Sequence, residues 1–217
     1  MTVHLERDLD SLKKDIVHLG SLVQSSTQSV IEFLRTKSEQ QLQSVLESEE
    51  QINGLEVDIE ENCLKILALH QPVAIDLRFI IVIMKVNNDL ERMGDQAVNI
   101  SQRVKALIEG PELSISLPID EMTTAIQKMV ALSLDALVGQ DPTIARKVVE
   151  MDDIVDDLNA KTYDIVRETI EANPSLVNSA MSMATISSNL ERIGDLCTNI
   201  AEEVIFMVEG QVIRHQN

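Results

Sequence analysis

The chain has 217 residues, 44% hydrophobic but only 2% aromatic, with no Trp, one Tyr and three Phe, and its 36 acidic and 18 basic residues give a formal net charge of -18. Any core must then be built from Leu, Ile, Val, Met and Ala, and with seven Gly and five Pro turns are few, which excludes a many-stranded sheet and favours a small number of long helices. A chain this acidic repels phosphate backbones and anionic lipid, and no run of Lys and Arg overrides that field, so nucleic acid is excluded as a partner and cations or basic protein surfaces are favoured.

From the N-terminus, "MTVHLERDLDSLKK" is charged throughout and lacks the apolar centre of a signal peptide, while the longest apolar run, "FIIVIM" at 79–84, spans six residues. No direct membrane insertion is expected, and the localisation expected is cytoplasmic. The breakers then place the helices. "LHQPV" at 69–73, "EGPELSISLPID" at 109–120, "GQDPT" at 139–143 and "ANPSL" at 172–176 interrupt the pattern, and Asp141-Pro142 reads as an N-cap followed by proline at the first helical position. The expected helices cover about 3–35, 39–70, 73–109, 119–138, 142–171 and 174–209. At 1.5 Å per residue the longer ones are ~45 Å long. The fold class is all-α, with two tandem three-helix bundles: residues 1–110, a linker at 111–118, and residues 119–217.

The halves repeat one another. Residues 87–110 and 187–210 align without gaps with ten identities in 24, including "LERMGD" at 90–95 over "LERIGD" at 190–195, and "VLESEEQINGL" at 45–55 lies over "VVEMDDIVDDL" at 148–158 at an offset of 103. In the third helix of each half, Ile83, Val86, Leu90, Met93, Ala97, Ile100, Val104 and Leu107 step by three and four, as do Met183, Ile186, Leu190, Ile193, Cys197, Ile200, Val204 and Met207. This is a core seam. Cys197 is then a buried small apolar residue, and Cys63 and Cys197 match neither a disulfide framework nor a zinc spacing, as suits a reducing compartment.

Off that seam, Glu91 and Asp95, and likewise Glu191 and Asp195, stand four residues apart and present two carboxylates from one side of one helix. Outer positions of a duplicated bundle are free to drift, yet Glu, Arg, Gly and Asp are identical in both halves. Gly94 and Gly194, each costing ~1 kcal/mol relative to Ala within a helix, mark a close approach to the backbone. The preceding helices offer a second pair at the same spacing, Glu49 and Asn53 in the first half and Asp152 and Asp156 in the second. Convergence of these pairs would be repulsive without a multivalent cation or a basic partner, and oxygen-only ligands suit iron, Mg²⁺, Mn²⁺ or Ca²⁺ better than Zn²⁺. Asn53, neutral where the second half has Asp156, predicts weaker binding in the first half.

Catalysis is not indicated. No His stands near either motif, as a ferritin-like di-iron bundle would require, and His4, His18, His70 and His215 are scattered and read as surface or packing residues. Phosphate-binding glycine loops and the hydrolase and zinc-protease motifs are missing from the sequence. Ile205 and Phe206, outside the seam, are expected to pack against the other bundle, with a dimer or partner contact as the alternative.

The stretches "QPVAIDLRFIIVIMKVNNDLERMGDQAVNI" at 71–100 and "SSNLERIGDLCTNIAEEVIFMVEG" at 187–210, with "RH" at 214–215, resemble the PhoU family of phosphate-specific transport system accessory proteins over nearly the whole chain. That resemblance implies two three-helix bundles with pseudo-twofold symmetry, commonly a homodimer, in a non-enzymatic negative regulator of the phosphate-starvation response. Such a regulator links the phosphate ABC transporter ATPase to the phosphate-sensing histidine kinase and restrains uptake. It also implies multinuclear metal clusters on the acidic motifs, which map onto Glu91, Asp95, Glu191, Asp195, Asp152, Asp156 and Glu49, with Asn53 departing from the pattern. A carboxylate-bridged metal-binding or metal-storage bundle is the alternative.

Overall fold

A computed structural model describes residues 3–210. Within them the chain is all-α: α1 Val3–Thr36, α2 Glu39–His70, α3 Ala74–Glu109, α4 Ile119–Gly139, α5 Pro142–Val149, α6 Asp152–Ala172, a 3₁₀ turn Pro174–Leu176, and α7 Val177–Glu209. No helix among the described residues is long and apolar enough to cross a membrane.

The helix boundaries follow local chemistry. The Asp141 side chain accepts from the backbone N–H of Thr143 at 2.7 Å and of Ile144 at 3.3 Å, and Pro142 occupies the first turn. The helix expected over 142–171 divides in two, however. At Glu150 and Met151 the ladder tightens, with Met151 N–H bonding Val148 O at 3.0 Å and Ile154 N–H bonding Met151 O at 3.2 Å. No Gly or Pro stands there to announce the break. One consequence is that Asp152 and Asp153 lie in the first turn of α6, where exposed N–H groups favour negative charge.

The third helices carry the architecture. Arg78 Nη1 of α3 bonds Met207 O of α7 at 3.4 Å, Lys85 Nζ reaches Glu203 Oε1 at 3.1 Å, and Ser179 Oγ donates to Pro111 O at 2.9 Å. Ascending α3 therefore descends α7, and the two related helices pack antiparallel about a pseudo-twofold axis. α1 and α2 complete the first unit around α3, and α4, α5 and α6 the second around α7. The seam residues Ile83, Val86, Leu90, Met93, Ala97, Ile100 and Val104 on α3, and Ile186, Leu190, Ile193, Cys197, Ile200 and Val204 on α7, are buried in one core shared by both units. On α6 the buried positions are Val155, Thr162 and Val166, while Ile165 is half-buried.

The segment between the units is fastened down. Leu113 and Leu117 pack against Val166, Ala180 and Ala184, adding to the hydrogen bond from Ser179. Ile205 is fully buried, and Phe206 packs on the core. Arg78 and Lys85 of α3 each stand 5.7 Å from the Phe206 ring centroid, so Phe206 meets the other half of the molecule, the first of the two expectations for it.

Candidate metal centre

The two motif glycines set the distance between helices. A Cβ on Gly94 would lie 3.2 Å from Ile52 Cδ1 of α2, and one on Gly194 would lie 3.3 Å from Ile126 Cδ1 of α4 and 3.5 Å from Val155 Cγ1 of α6. Ile52 and Val155 are the same position of the repeat. Without a side chain at the glycine, the neighbouring helix packs against bare backbone, and the acids beside Ile52 and Val155 are drawn towards those beside the glycine.

In the second half this brings carboxylates together. Asp156 of α6 and Glu191 and Asp195 of α7 each present an oxygen such that the three atoms lie within 4.8 Å of one another, the only such group of His, Cys, Asp or Glu among the described residues. Asp152 stands at its edge, its Oδ1 accepting from Thr198 Oγ1 at 3.2 Å. Partial burial pushes the Asp152, Glu191 and Asp195 carboxyls above their ordinary range. The acids then repel one another: Glu191 feels Asp195, Asp156 and Asp152, and Asp195 feels Asp152 and Asp156, with Arg192 a partial offset to both. Thr198 works in the opposite direction on Asp152. An open, oxygen-only cluster of this kind fits a hard multivalent cation by the chemistry of its donors.

The first half differs. Glu91 and Asp95 are half-buried on α3, Glu49 is half-buried on α2 and Asn53 is exposed, but these positions form no comparable three-acid group. Glu91 is pushed up by burial first, then by Asp95 and by Glu56, one turn beyond Asn53. Glu56 is itself pushed up, by burial and by Glu60. Where the second half has Thr198, the first has Val98, which offers no hydroxyl to hold Glu49. Thr198 and Glu56 escape a reading based on identical residues, because each lies where the two halves disagree.

The remaining candidates fall outside any such cluster. His4 and His18 are exposed, and His70 Nε2 lies 3.0 Å from Asp8 Oδ2, tying the end of α2 to the start of α1. His215 and the "RH" pair lie outside the described residues. Cys63 and Cys197 are free and fully buried, and burial pushes both thiols up to about 12.

Fold and site together define a duplicated helical-bundle protein in which each unit presents acidic residues where its second and third helices meet. The PhoU domain profile matches residues 16–104 and 119–204. The phosphate-specific transport system accessory protein PhoU homolog of Aquifex aeolicus (strain VF5) is 35% identical over 98% of this chain and 96% of its own length. The crystal structure of PhoU from Pseudomonas aeruginosa superposes with a TM-score of 0.92 at 32% identity, covering 95% of this chain and 99% of that one. That of the phosphate transport system regulatory protein PhoU from Streptococcus pneumoniae gives 0.84 at 26% identity, over 96% and 99%. The chain belongs to the PhoU family.

Proposed function

We propose that this chain is a non-enzymatic accessory protein of a phosphate transport system, acting in the cytoplasm as a negative regulator of the phosphate-starvation response. It links the transporter ATPase to a phosphate-sensing histidine kinase and restrains uptake, and it works as a homodimer. Its acids hold multivalent metal, iron first, with Mg²⁺, Mn²⁺, Ca²⁺ and Zn²⁺ as the other candidates. The second-half site uses Asp152, Asp156, Glu191 and Asp195, and the first-half site Glu91 and Asp95 with Glu49 and Asn53.

Support for the regulatory part comes from relatives named as transport-system accessory and regulatory proteins. The metal part is carried by one observation, the approach of Asp156, Glu191 and Asp195 oxygens to within 4.8 Å in a donor set of carboxylates alone. A bound cation would replace their repulsion with shared coordination and leave a charged, chemically distinctive patch for docking.

The test is metal content by mass spectrometry on untagged protein, wild type against Glu191→Ala/Asp195→Ala, alongside capture of purified transporter ATPase and kinase and the mass of the free protein by light scattering. Joint loss of metal and of partner binding in the variant, from a dimeric wild type, is the expected result. Metal-free wild type that still captures both partners would sink the metal site and leave the acids as direct protein contacts. Wild type that captures neither partner would overturn the adaptor reading.

A further inference from the structure

The chain between the two units is extended. Residues 111–117 are not helical, and exposure alternates along them: Leu113, Ile115 and Leu117 are half-buried, while Glu112, Ser114 and Ser116 are exposed. That is the period of a β-strand lying on a surface. One edge of it is fixed by the body of the protein, because Ser179 Oγ of α7 donates to Pro111 O at 2.9 Å. In an extended chain the N–H and C=O of one residue point to one edge and those of the next residue to the other. The backbone groups of Glu112, Ser114 and Ser116 therefore point away from Ser179, and none of them has a hydrogen-bond partner among the described residues. Pro111 and Pro118, which lack an N–H, close the stretch at both ends.

Free strand edges are usually blunted by charge, but no charged residue stands between Leu113 and Leu117 in a chain whose net charge is -18. The side chains that the strand turns inward, Leu113, Ile115 and Leu117, line a cavity of about 670 Å³ together with Leu34, Ile108 and Met183, and Ile108 is 47% exposed. A second strand added along the free edge would turn alternate side chains to the same face, towards that cavity. Charge sets its direction. Arg35 is already held beyond the end of the strand, with Nε 3.3 Å from Asp120 Oδ1 and Nη2 3.3 Å from Thr123 Oγ1. Lys37, just past the end of α1, lines the same cavity and has no acidic partner among the described residues. Glu112 lines it from the start of the strand. An acid at the first residue of an antiparallel strand would thus lie towards the basic end of α1 and away from Glu112.

We infer that the free edge of residues 112–116 docks an extended peptide of a partner protein, added antiparallel as a second strand, with apolar side chains at alternate positions and an acidic residue at its start for Lys37. Such docking rests on the adaptor reading and deepens it, since it names how a partner is held.

The probe is the hexapeptide acetyl-Glu-Leu-Ser-Ile-Ser-Leu-amide, a copy of residues 112–117 that carries both the alternation and the leading acid. Isotope-labelled full chain is titrated with it and followed by NMR. The amides of Glu112, Ser114 and Ser116 should move most, with a Kd of about 1 mM or tighter. Ser114→Pro/Ser116→Pro removes two donors and keeps the extended backbone, so binding should weaken by about tenfold or more, while Ser114→Ala/Ser116→Ala stays within about twofold. Lys37→Glu should weaken it by about two- to fivefold. Circular dichroism checks that each variant keeps its helices. Shifts confined to another surface, no shift at about 10 mM peptide, or a Pro variant that binds like wild type overturns the docking site. Capture of purified transporter ATPase and kinase by the same Pro variant separates this site from the adaptor reading. Loss of one partner is expected; capture of both overturns the docking site and leaves the adaptor standing, whereas wild type that captures neither overturns the adaptor itself. A Pro variant that turns a dimeric wild type monomeric overturns the partner peptide in favour of a second copy of this chain.

Discussion

Replacing Asp195 with Asn should stabilise the metal-free protein and remove most of its response to cations. Asp195 shares a group with Asp156 and Glu191 whose oxygens lie within 4.8 Å of one another, and it also feels Asp152. Two unit charges at that separation repel by about 1 kcal/mol in water-like surroundings and by about 3 kcal/mol at an effective dielectric constant of about 20. Asp156 and Asp195 are exposed, so solvent screening sets each pair towards the lower figure, in the roughly 0.2–1 kcal/mol range of surface ion pairs. Relief of three such repulsions amounts to ~1–2 kcal/mol. For a chain of this size that is a rise in Tm of about 2–8 °C. Calorimetry in chelator and in excess Mn²⁺ reads both effects: the variant should melt above wild type in chelator, and its Mn²⁺-induced shift should be much smaller. A variant that melts below wild type in chelator, or keeps the full Mn²⁺ shift, would refute the view that these acids are held together against their own repulsion.

The same acids predict a pH signature. Asp152 and Asp195, with an ordinary value of 3.8, and Glu191, with 4.5, are raised on folding, so between the ordinary and the raised values the folded chain binds more protons than the unfolded one and stability falls as pH rises. In chelator, the stability advantage of Asp152→Asn/Asp195→Asn over wild type should therefore widen through that window and level off above it; a gap that narrows as pH rises would contradict the assignment. At the glycines, Gly94→Ala brings a Cβ to 3.2 Å from the flexible end of Ile52, where ~1 kcal/mol of helix propensity offsets mild crowding and urea melts should shift little. Gly94→Leu must displace α2 and should lose ~1–3 kcal/mol; a neutral Leu variant would show that the glycine does not set the helix spacing. Between the halves, Lys85 Nζ lies 3.1 Å and 3.2 Å from the oxygens of Glu203, whose side chain is 2% exposed. Lys85→Met should cost ~1–3 kcal/mol, with Lys85→Met/Glu203→Met recovering part of it. Strict additivity of the two single substitutions in a double-mutant cycle would deny the coupling.

Long helices were legible because the chain has so few aromatic residues, glycines and prolines, and the major breaks carry Pro or Gly. The division between α5 and α6 has no such mark, since Glu150 and Met151 keep helical dihedrals and only the hydrogen-bond register tightens. The left-handed residues that close three helices are likewise unmarked. Lys37, Gln71 and Gln140 follow α1, α2 and α4 with φ of 57°, 46° and 49°, left-handed conformations that the sequence signals reliably only when Gly or Asn occupies them.

For the candidate site, internal repetition singled out α3 and α7, and in the second half the acids it singled out include Glu191 and Asp195 of the three-carboxylate group; two different physical causes lie behind the repetition. Gly94 and Gly194 are alike because each meets the equivalent residue of the neighbouring helix, Ile52 or Val155; that constraint is steric and would persist with no cation. The acids report something else, since nothing in helix packing asks for Glu91, Asp95, Glu191 and Asp195. What repetition hides is the polar environment that decides whether four acids meet. Thr198 holds Asp152 where Val98 holds nothing, and Ser187 with Asn159 completes a hydrogen bond where Asn87 with Glu56 leaves an oxygen over. These exchanges fall in pairs across two helices, so they look like drift when either helix is read alone. A duplicated helix pair can thus keep its packing while the polar groups around its two acidic motifs diverge, and the divergence is found at the partners of the motif rather than in the motif.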